Sequence, residues 1–363
     1  MHRHLTLFSA LVALALYALP AFVVPASALP VPVFTADAAL AQLERAWPDF
    51  KSRFIEEDGR VVDTANGAIS HSEGQGYAML LAVAADDHET FSRVWSWTRQ
   101  TLGVRSDDLF AWVYDPQTQS IRDANNATDG DLLIAWALHR AYQRWAMPAH
   151  LHAARTLSDA VLAHGTGENA SYGRLILPGV EGFSDSERSN GAVFNLSYWV
   201  FPALRNLAPL IGPATVETLE NSGLALLHDA RFGEDNLPPD WLALQAGQAN
   251  LADGFDPVFG YNAIRIPLYL VWAGAGSRGH LAPFMAHWPN DHTSNTVAQV
   301  HLVSGEAEPL VGAGYHAVAQ LTACAMDGTT NMAAFNAPLD QHYYPATLHL
   351  LSLLAFHERG LSC

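Results

Sequence analysis

Apolar positions along this chain recur mostly at intervals of three and four residues, and Pro, Gly and Asp mark the breaks. The pattern predicts helices over 36–49, 73–86, 89–102, 129–146, 148–164, 195–208, 214–229, 262–274, 279–288, 313–326 and 342–359. Alternating patterns are short and scarce, with possible strands only at 61–63 and 174–177. Glu73, Tyr77 and Leu81 fall one turn apart on a common face, which sets an acid at the rim of a packed stripe. Asp129, Leu133, Ala137, Ala141 and Trp145 form a second such stripe, with Asp131 on another face. In 262–274, Ile264, Leu268, Val271 and Trp272 mark a buried face, yet the segment opens on Tyr261-Asn262 and carries Arg265. No repeat, linker or charge block divides the body. An undivided run of helices predicts an all-α architecture of helix hairpins around a shared centre. Polar groups at helix ends and in connecting loops would then face a cleft.

Composition narrows the classes. Half of the 363 residues are hydrophobic and 15% are charged, as in a globular enzyme-sized body. A net charge of −17, with Lys51 as the sole lysine, argues against a nucleic-acid binder, since no basic field is present to neutralise phosphates. At the N-terminus, His2, Arg3 and His4 precede an apolar run from Leu5 to Val24, followed by Ala26-Ser27-Ala28. This pattern predicts a signal peptide over 1–28, cleaved after Ala28, and hence a secreted or periplasmic protein with no membrane span after cleavage. Residues 29–363 then form a single domain. Cys324 and Cys363 are too few for a disulfide framework, and their spacing does not say whether they pair.

Each polar cluster has a structural use and a chemical one. A glutamate in a first turn complements the helix dipole, and an aspartate there caps the helix. Two glycines and Gln75 beside Glu73 point instead to close approach of something to the backbone. A carboxylate heading a buried stripe, as Asp129 does, needs a partner to stay charged; Thr128 and Asn126 are nearby. Zinc-protease, hydrolase-elbow and phosphate-loop motifs are absent, and Asp86-Asp87 and Asp107-Asp108 do not match metal-binding aspartate motifs. No cofactor or metal is expected.

Four stretches carry a resemblance: "SEGQGYAMLLAVAADD", "NNATDGDLLIAWAL", "LPPDWLAL" and "YNAIRIPLYLVWAG". In this order and spacing they resemble glycoside hydrolase family 8, and most closely the secreted endo-β-1,4-glucanases (cellulases) that accompany bacterial cellulose synthases. The resemblance covers roughly 35–359 and implies an (α/α)6 barrel that binds a β-1,4-glucan, with a cellulose synthase complex as a further possible partner. Inverting hydrolysis needs a protonated acid at the glycosidic oxygen and a base that activates water, roughly 6.5–9.5 Å apart. The resemblance implies that Glu73 is the acid and that Asp129 occupies the sugar-distorting position often labelled nucleophile. Poor solvation and the charge of Asp129 should raise the pKa of Glu73. Tyr77, Trp112, Asp240, Tyr261 and Arg265 resemble substrate-binding residues; Trp241, Tyr198 and Trp199 are aromatic candidates for which core packing is an equal account.

One position departs from the family pattern. Most glucanases of the family have aspartate as base where this chain has Asn262. An amide accepts a hydrogen bond but does not retain a proton at useful pH, so Asn262 is expected to position water. Asp256 and Asp253, a few residues upstream, are the candidates for a displaced base. A chitosanase or xylanase of the same family, or a weakly active or inactive glucan-binding accessory of a cellulose synthase, stand as alternatives.

Overall fold

Thr35 opens the first helix by accepting the Ala38 N–H on its side-chain oxygen at 3.2 Å. A computed structural model of the chain describes residues 33–288, 297–329 and 332–363. The signal peptide expected over 1–28 lies outside the described residues. Phe34–Cys363 is one compact unit.

Helices follow in chain order: α1 (Ala36–Phe54), α2 (Ser72–Ala84), α3 (His88–Thr101), α4 (Thr128–Trp145), α5 (Pro148–His164), α6 (Phe201–Ile211), α7 (Pro213–Asp229), α8 (Arg265–Ala273), α9 (Arg278–His287), α10 (Ala313–Asp327), α11 (Met332–Asn336) and α12 (Tyr343–Glu358). The even-numbered helices pack α2 on α4, α4 on α6, α6 on α8, α8 on α10, α10 on α12 and α12 back on α2, which closes a ring. The odd-numbered helices lie outside, most against their chain neighbours and α1 against α12 and α11. Sequence composition explains the division. Every residue of α8 is buried, and α12 is buried from Tyr343 to Phe356 except Tyr344, so both are inner helices. In contrast, α1 buries only Ala39, Leu43, Trp47, Phe50 and Phe54, a single stripe. The architecture is an (α/α)6 barrel.

Glycine sets the closest approach within the ring. A side chain at Gly76 would bring its Cβ within 2.6 Å of Leu133 Cβ, so α2 and α4 meet backbone to side chain there. Likewise a Cβ on Gly130 would lie 2.1 Å from Ser72 Oγ and 2.8 Å from the Glu73 nitrogen. The backbone crowding around Glu73 is therefore α4 itself. Gln75 is a clamp rather than a site group: its Oε1 accepts the Val61 N–H at 2.7 Å and its Nε2 donates to Thr98 Oγ1 at 2.8 Å.

The sequence pattern misses most of the β-structure. Short antiparallel ribbons cap one end of the barrel: Ser70–His71 with Val113–Asp115 and Ser120–Asp123, Ala192–Phe194 with Leu242–Gln245 and Gln248–Leu251, and Val258–Phe259 with Ala298–His301 and Ala307–Pro309. A fourth pairs Thr166–Asn169 with Gly173–Ile176, close to the strand expected at 174–177. At 61–63 only Val61 is bridged, to Ile55. The helix expected from 195 begins at Phe201, after a 3-10 turn at Leu196–Tyr198. Cys324 and Cys363 form a disulfide that ties α10 to the C-terminal segment.

Candidate active site

The open cavity at the ribboned end has a volume of about 920 Å³, and Glu73, Asp129, Asn262 and Arg265 line it. Each comes from the start of an inner helix. His71 caps α2 by accepting the Gly74 N–H on Nδ1 at 2.9 Å, which places Glu73 in the first turn. Asp129 stands in the first turn of α4, where its Oδ1 accepts the Gly130 N–H at 2.8 Å. Arg265 opens α8, with its own N–H donated to the Asn262 carbonyl at 3.1 Å.

Arg265 joins them. Its guanidinium is 2% exposed, and Nη1 donates to both Glu73 Oε2 and Asp129 Oδ2, the latter at 3.0 Å. Nη2 donates to Ser197 Oγ at 2.9 Å and to Asn262 Oδ1 at 2.8 Å. A buried carboxylate pair beside one guanidinium is stable only when it retains a proton or is fully bonded. Burial raises both acids, but Arg265 and then His71 outweigh it at Glu73 and hold that carboxyl below its ordinary range. Burial and the charge of Glu73 hold Asp129 well above its range. The two carboxyls titrate together as a pair, with Arg265 favouring the charged form at Glu73 and burial the neutral form at Asp129. This reverses the expected rise at Glu73, because the guanidinium lies directly on that carboxylate.

The second aspartate of the A-T-D-G-D stretch does different work. Asp131 Oδ1 accepts the Phe110 N–H at 3.0 Å and Oδ2 accepts Asn126 Nδ2 at 2.9 Å. Asn126 Oδ1 in turn accepts the Val180 N–H at 2.8 Å, so Asp131 fixes two loops of the cavity rim. Burial pushes its carboxyl up to about 7, against these donors.

Aromatic rings wall the cavity. Trp112 lines it and donates Nε1 to Asp123 Oδ2 at 2.8 Å. Trp241 lines it between Phe255 and Phe183, with ring centroids 4.6 and 5.8 Å away. Tyr261 is 53% exposed and stands 6.2 Å from Tyr315 and 6.3 Å from Tyr344. Tyr198 also lines the cavity.

Five expected positions fall outside the cavity lining. Tyr77 is fully buried below Arg265; its hydroxyl shares a hydrogen bond with Tyr269 and lies 3.4 Å from Arg265 Nη1, out of the cavity lining. Trp199 is core, with Nε1 donated to the Leu219 carbonyl at 2.9 Å. Asp253 and Asp256 are exposed on the loop beside Phe255, and neither lines the cavity. That loop sends its aromatic ring inward and its carboxylates outward. Asp240 is buried behind Asn262, accepting the Gly260 and Ala263 N–H groups on Oδ1 at 2.9 and 2.8 Å.

Several further residues line the cavity. Asp63 and His71 line the cavity together, 3.7 Å apart between Oδ2 and Nε2. His71 stands two residues before Glu73, which was a usable signal; Asp63 is joined to it only through the fold. Tyr344 and Phe183 likewise come from segments far away in sequence.

Residues 23–358 match the family model described as "Glycosyl hydrolases family 8". The chain is 37% identical over 330 residues to a probable endoglucanase from Novacetimonas hansenii, covering 90% of this chain and 94% of that relative. It is 40% identical over 285 residues to an endoglucanase from Cellulomonas uda, covering 78% of each. Among solved structures, an endo-β-1,4-glucanase from Acetobacter xylinum superposes with a TM-score of 0.79 at 36% identity, covering 88% of this chain and 99% of that one.

Proposed function

Because the chain belongs to glycosyl hydrolase family 8, we propose that it is a secreted endo-β-1,4-glucanase that cleaves cellulose-type chains with inversion at the anomeric carbon. The observation that carries this is the pair Glu73 and Asp129, held by Arg265 on the floor of an open cavity with aromatic walls. An open cleft admits the middle of a polymer, whereas a closed pocket admits only an end. Pyranose C–H faces pack on rings such as Trp112, Trp241 and Tyr261, while ring hydroxyls bond the polar groups between them.

In this mechanism the proton shared by the two carboxyls is delivered from Glu73 to the glycosidic oxygen. A sugar entering beside Asp129 exchanges hydrogen bonds with that carboxyl and leaves the proton to Glu73. Water attacks from the opposite face. Export is supported by the Ala26-Ser27-Ala28 pattern and by the disulfide, which suits an oxidising compartment. A role beside a cellulose synthase rests on the resemblance to cellulose-associated relatives. Among the described residues no helix is long and apolar enough to cross a membrane.

Asp63, Glu73, Asp123 and Asp129 also line the cavity against a single guanidinium, that of Arg265. That acidity favours a second reading, cationic chitosan as substrate. Reducing-end release from carboxymethylcellulose, chitosan and xylan, with the anomer of the first product read by NMR, separates the two. Cleavage of the cellulosic substrate to the α-anomer is expected. Cleavage of chitosan alone would replace the substrate assignment, and binding without cleavage of any polymer would overturn the enzyme.

A further inference from the structure

Asn262 stands between the cavity, which it lines, and Asp240, which is sealed from it. The partners fix the orientation of the amide. A guanidinium only donates, so the atom 2.8 Å from Arg265 Nη2 is Oδ1, and Nδ2 therefore faces Asp240 Oδ2 at 3.4 Å. Asp240 Oδ1 is filled by two backbone N–H groups, which leaves Oδ2 turned to the amide. Clamping the 260–263 loop explains Oδ1. It does not explain a second buried carboxylate oxygen aimed at the one side chain that replaces the usual base.

We propose that Asp240 is the terminal acceptor of the water proton and that Asn262 relays it. This relay presupposes the hydrolysis proposed above. As the water oxygen bonds to the anomeric carbon, the glycosidic C–O bond breaks and its electron pair leaves on the glycosidic oxygen, which takes the acid's proton. The water's proton passes to Asn262 Oδ1, whose second lone pair is free of Arg265. One Nδ2 proton passes to Asp240 Oδ2, and Asn262 becomes its imidic-acid tautomer. When product leaves, Asp240 returns its proton to nitrogen and the Oδ1 proton passes to solvent. Glu73 then regains a proton from solvent. One water is consumed per bond cleaved, and no other reactant is needed.

Two further facts fit. Burial holds the Asp240 carboxyl above its ordinary range, with the Ala263, Gly260 and Asn262 N–H groups and the Asn262 side chain partly offsetting it, which suits a proton acceptor. An aspartate at position 262 would put two carboxylates 3.4 Å apart, where the present amide makes a hydrogen bond instead.

The test exchanges the two groups. On carboxymethylcellulose, D240N keeps the size and the Oδ1 acceptor and is expected to lose at least about 100-fold in kcat. N262A leaves the backbone bonds of Asp240 in place and is expected to lose a similar factor. The double variant D240N/N262D places a carboxylate directly at the water and is expected to return to within about tenfold of the wild-type kcat. A loop-clamping role alone acts through Oδ1, which D240N retains, and would leave D240N near the wild type; a double variant as inactive as D240N also overturns the relay. So does a D240N or N262A enzyme within about threefold of the wild type. If D240N does not fold, N262A and the double variant decide. A wild type that cleaves no β-1,4-glucan overturns the hydrolysis and the relay with it, whereas an active wild type with unaffected variants removes the relay only.

Discussion

Arg265 Nη2 donates to Asn262 Oδ1 at 2.8 Å, three residues back along the same chain segment, while Nη1 of the same guanidinium reaches Glu73 and Asp129. One buried cation thus orients Glu73, Asp129 and the Asn262 amide together. The pairing gives α8 its functional end: through Arg265 a largely apolar inner helix donates three hydrogen bonds to α2, α4 and the Leu196–Tyr198 turn.

Replacing Arg265 removes the partner of buried carboxylates. R265A is expected to destabilise the fold by about 3–5 kcal/mol in urea denaturation, since an uncompensated buried charge remains. R265K keeps the charge but not the planar fork, and is expected to recover stability more than activity. Equal recovery of both would show that charge alone matters there.

Glu73→Gln preserves the shape of the acid and abolishes its proton. A fall in kcat of about 10²–10⁴ is expected on unactivated β-1,4-glucan. Thermal stability should fall, because the carboxylate that Arg265 holds ionised is lost. Full activity in this variant would remove Glu73 as the acid.

Asp131 makes stability depend on pH in a stated direction. Its folded pKa of about 7 exceeds the ordinary aspartate value of 3.8. Between those limits the folded chain keeps a proton that the unfolded chain has lost, so this group's contribution to stability falls as pH rises through the window. The limiting slope is about 1.4 kcal/mol per pH unit. Below the window both states are protonated, and above it both are ionised. D131N should abolish that slope, which denaturant titrations of wild type and variant from pH 4 to 8 would read. Parallel curves would show that Asp131 is charged in the fold.

The Cys324–Cys363 disulfide closes a loop with a sequence separation of 39. Loop-closure entropy for that length corresponds to about 3–4 kcal/mol. Cys363→Ser should lower the denaturation midpoint accordingly, with kcat on glucan unchanged because the bridge lies outside the cavity lining. An unchanged midpoint would show that the terminal segment is held by its other contacts, among them the Phe34–Cys363 backbone pair.

Helix positions were legible because burial on one face leaves a period in the sequence, and a wholly buried helix leaves an unbroken apolar run. Glu73, Asp129 and Arg265 were legible because polar residues heading such runs need a partner. Tyr77 was misplaced by the same logic: it shares the face of Glu73, but one turn deeper that face is already inside the ring. Asp253 and Asp256 were plausible by sequence distance from Asn262, yet a loop alternates its side chains, and Phe255 took the inward position.

By itself, the sequence determined the all-α class, most helix spans and the polar residues that head inner helices. These depend on local period and residue chemistry. Only the tertiary structure decided that Arg265 bonds Glu73 and Asp129 together, that Asp240 stands behind Asn262, that Asp63 joins His71 at the cavity, and that the two cysteines pair. Most of those relationships join residues tens to hundreds of positions apart, with Asp63 and His71 the exception. They exist because ring closure brings the starts of separate inner helices and their ribbons to one end of the barrel.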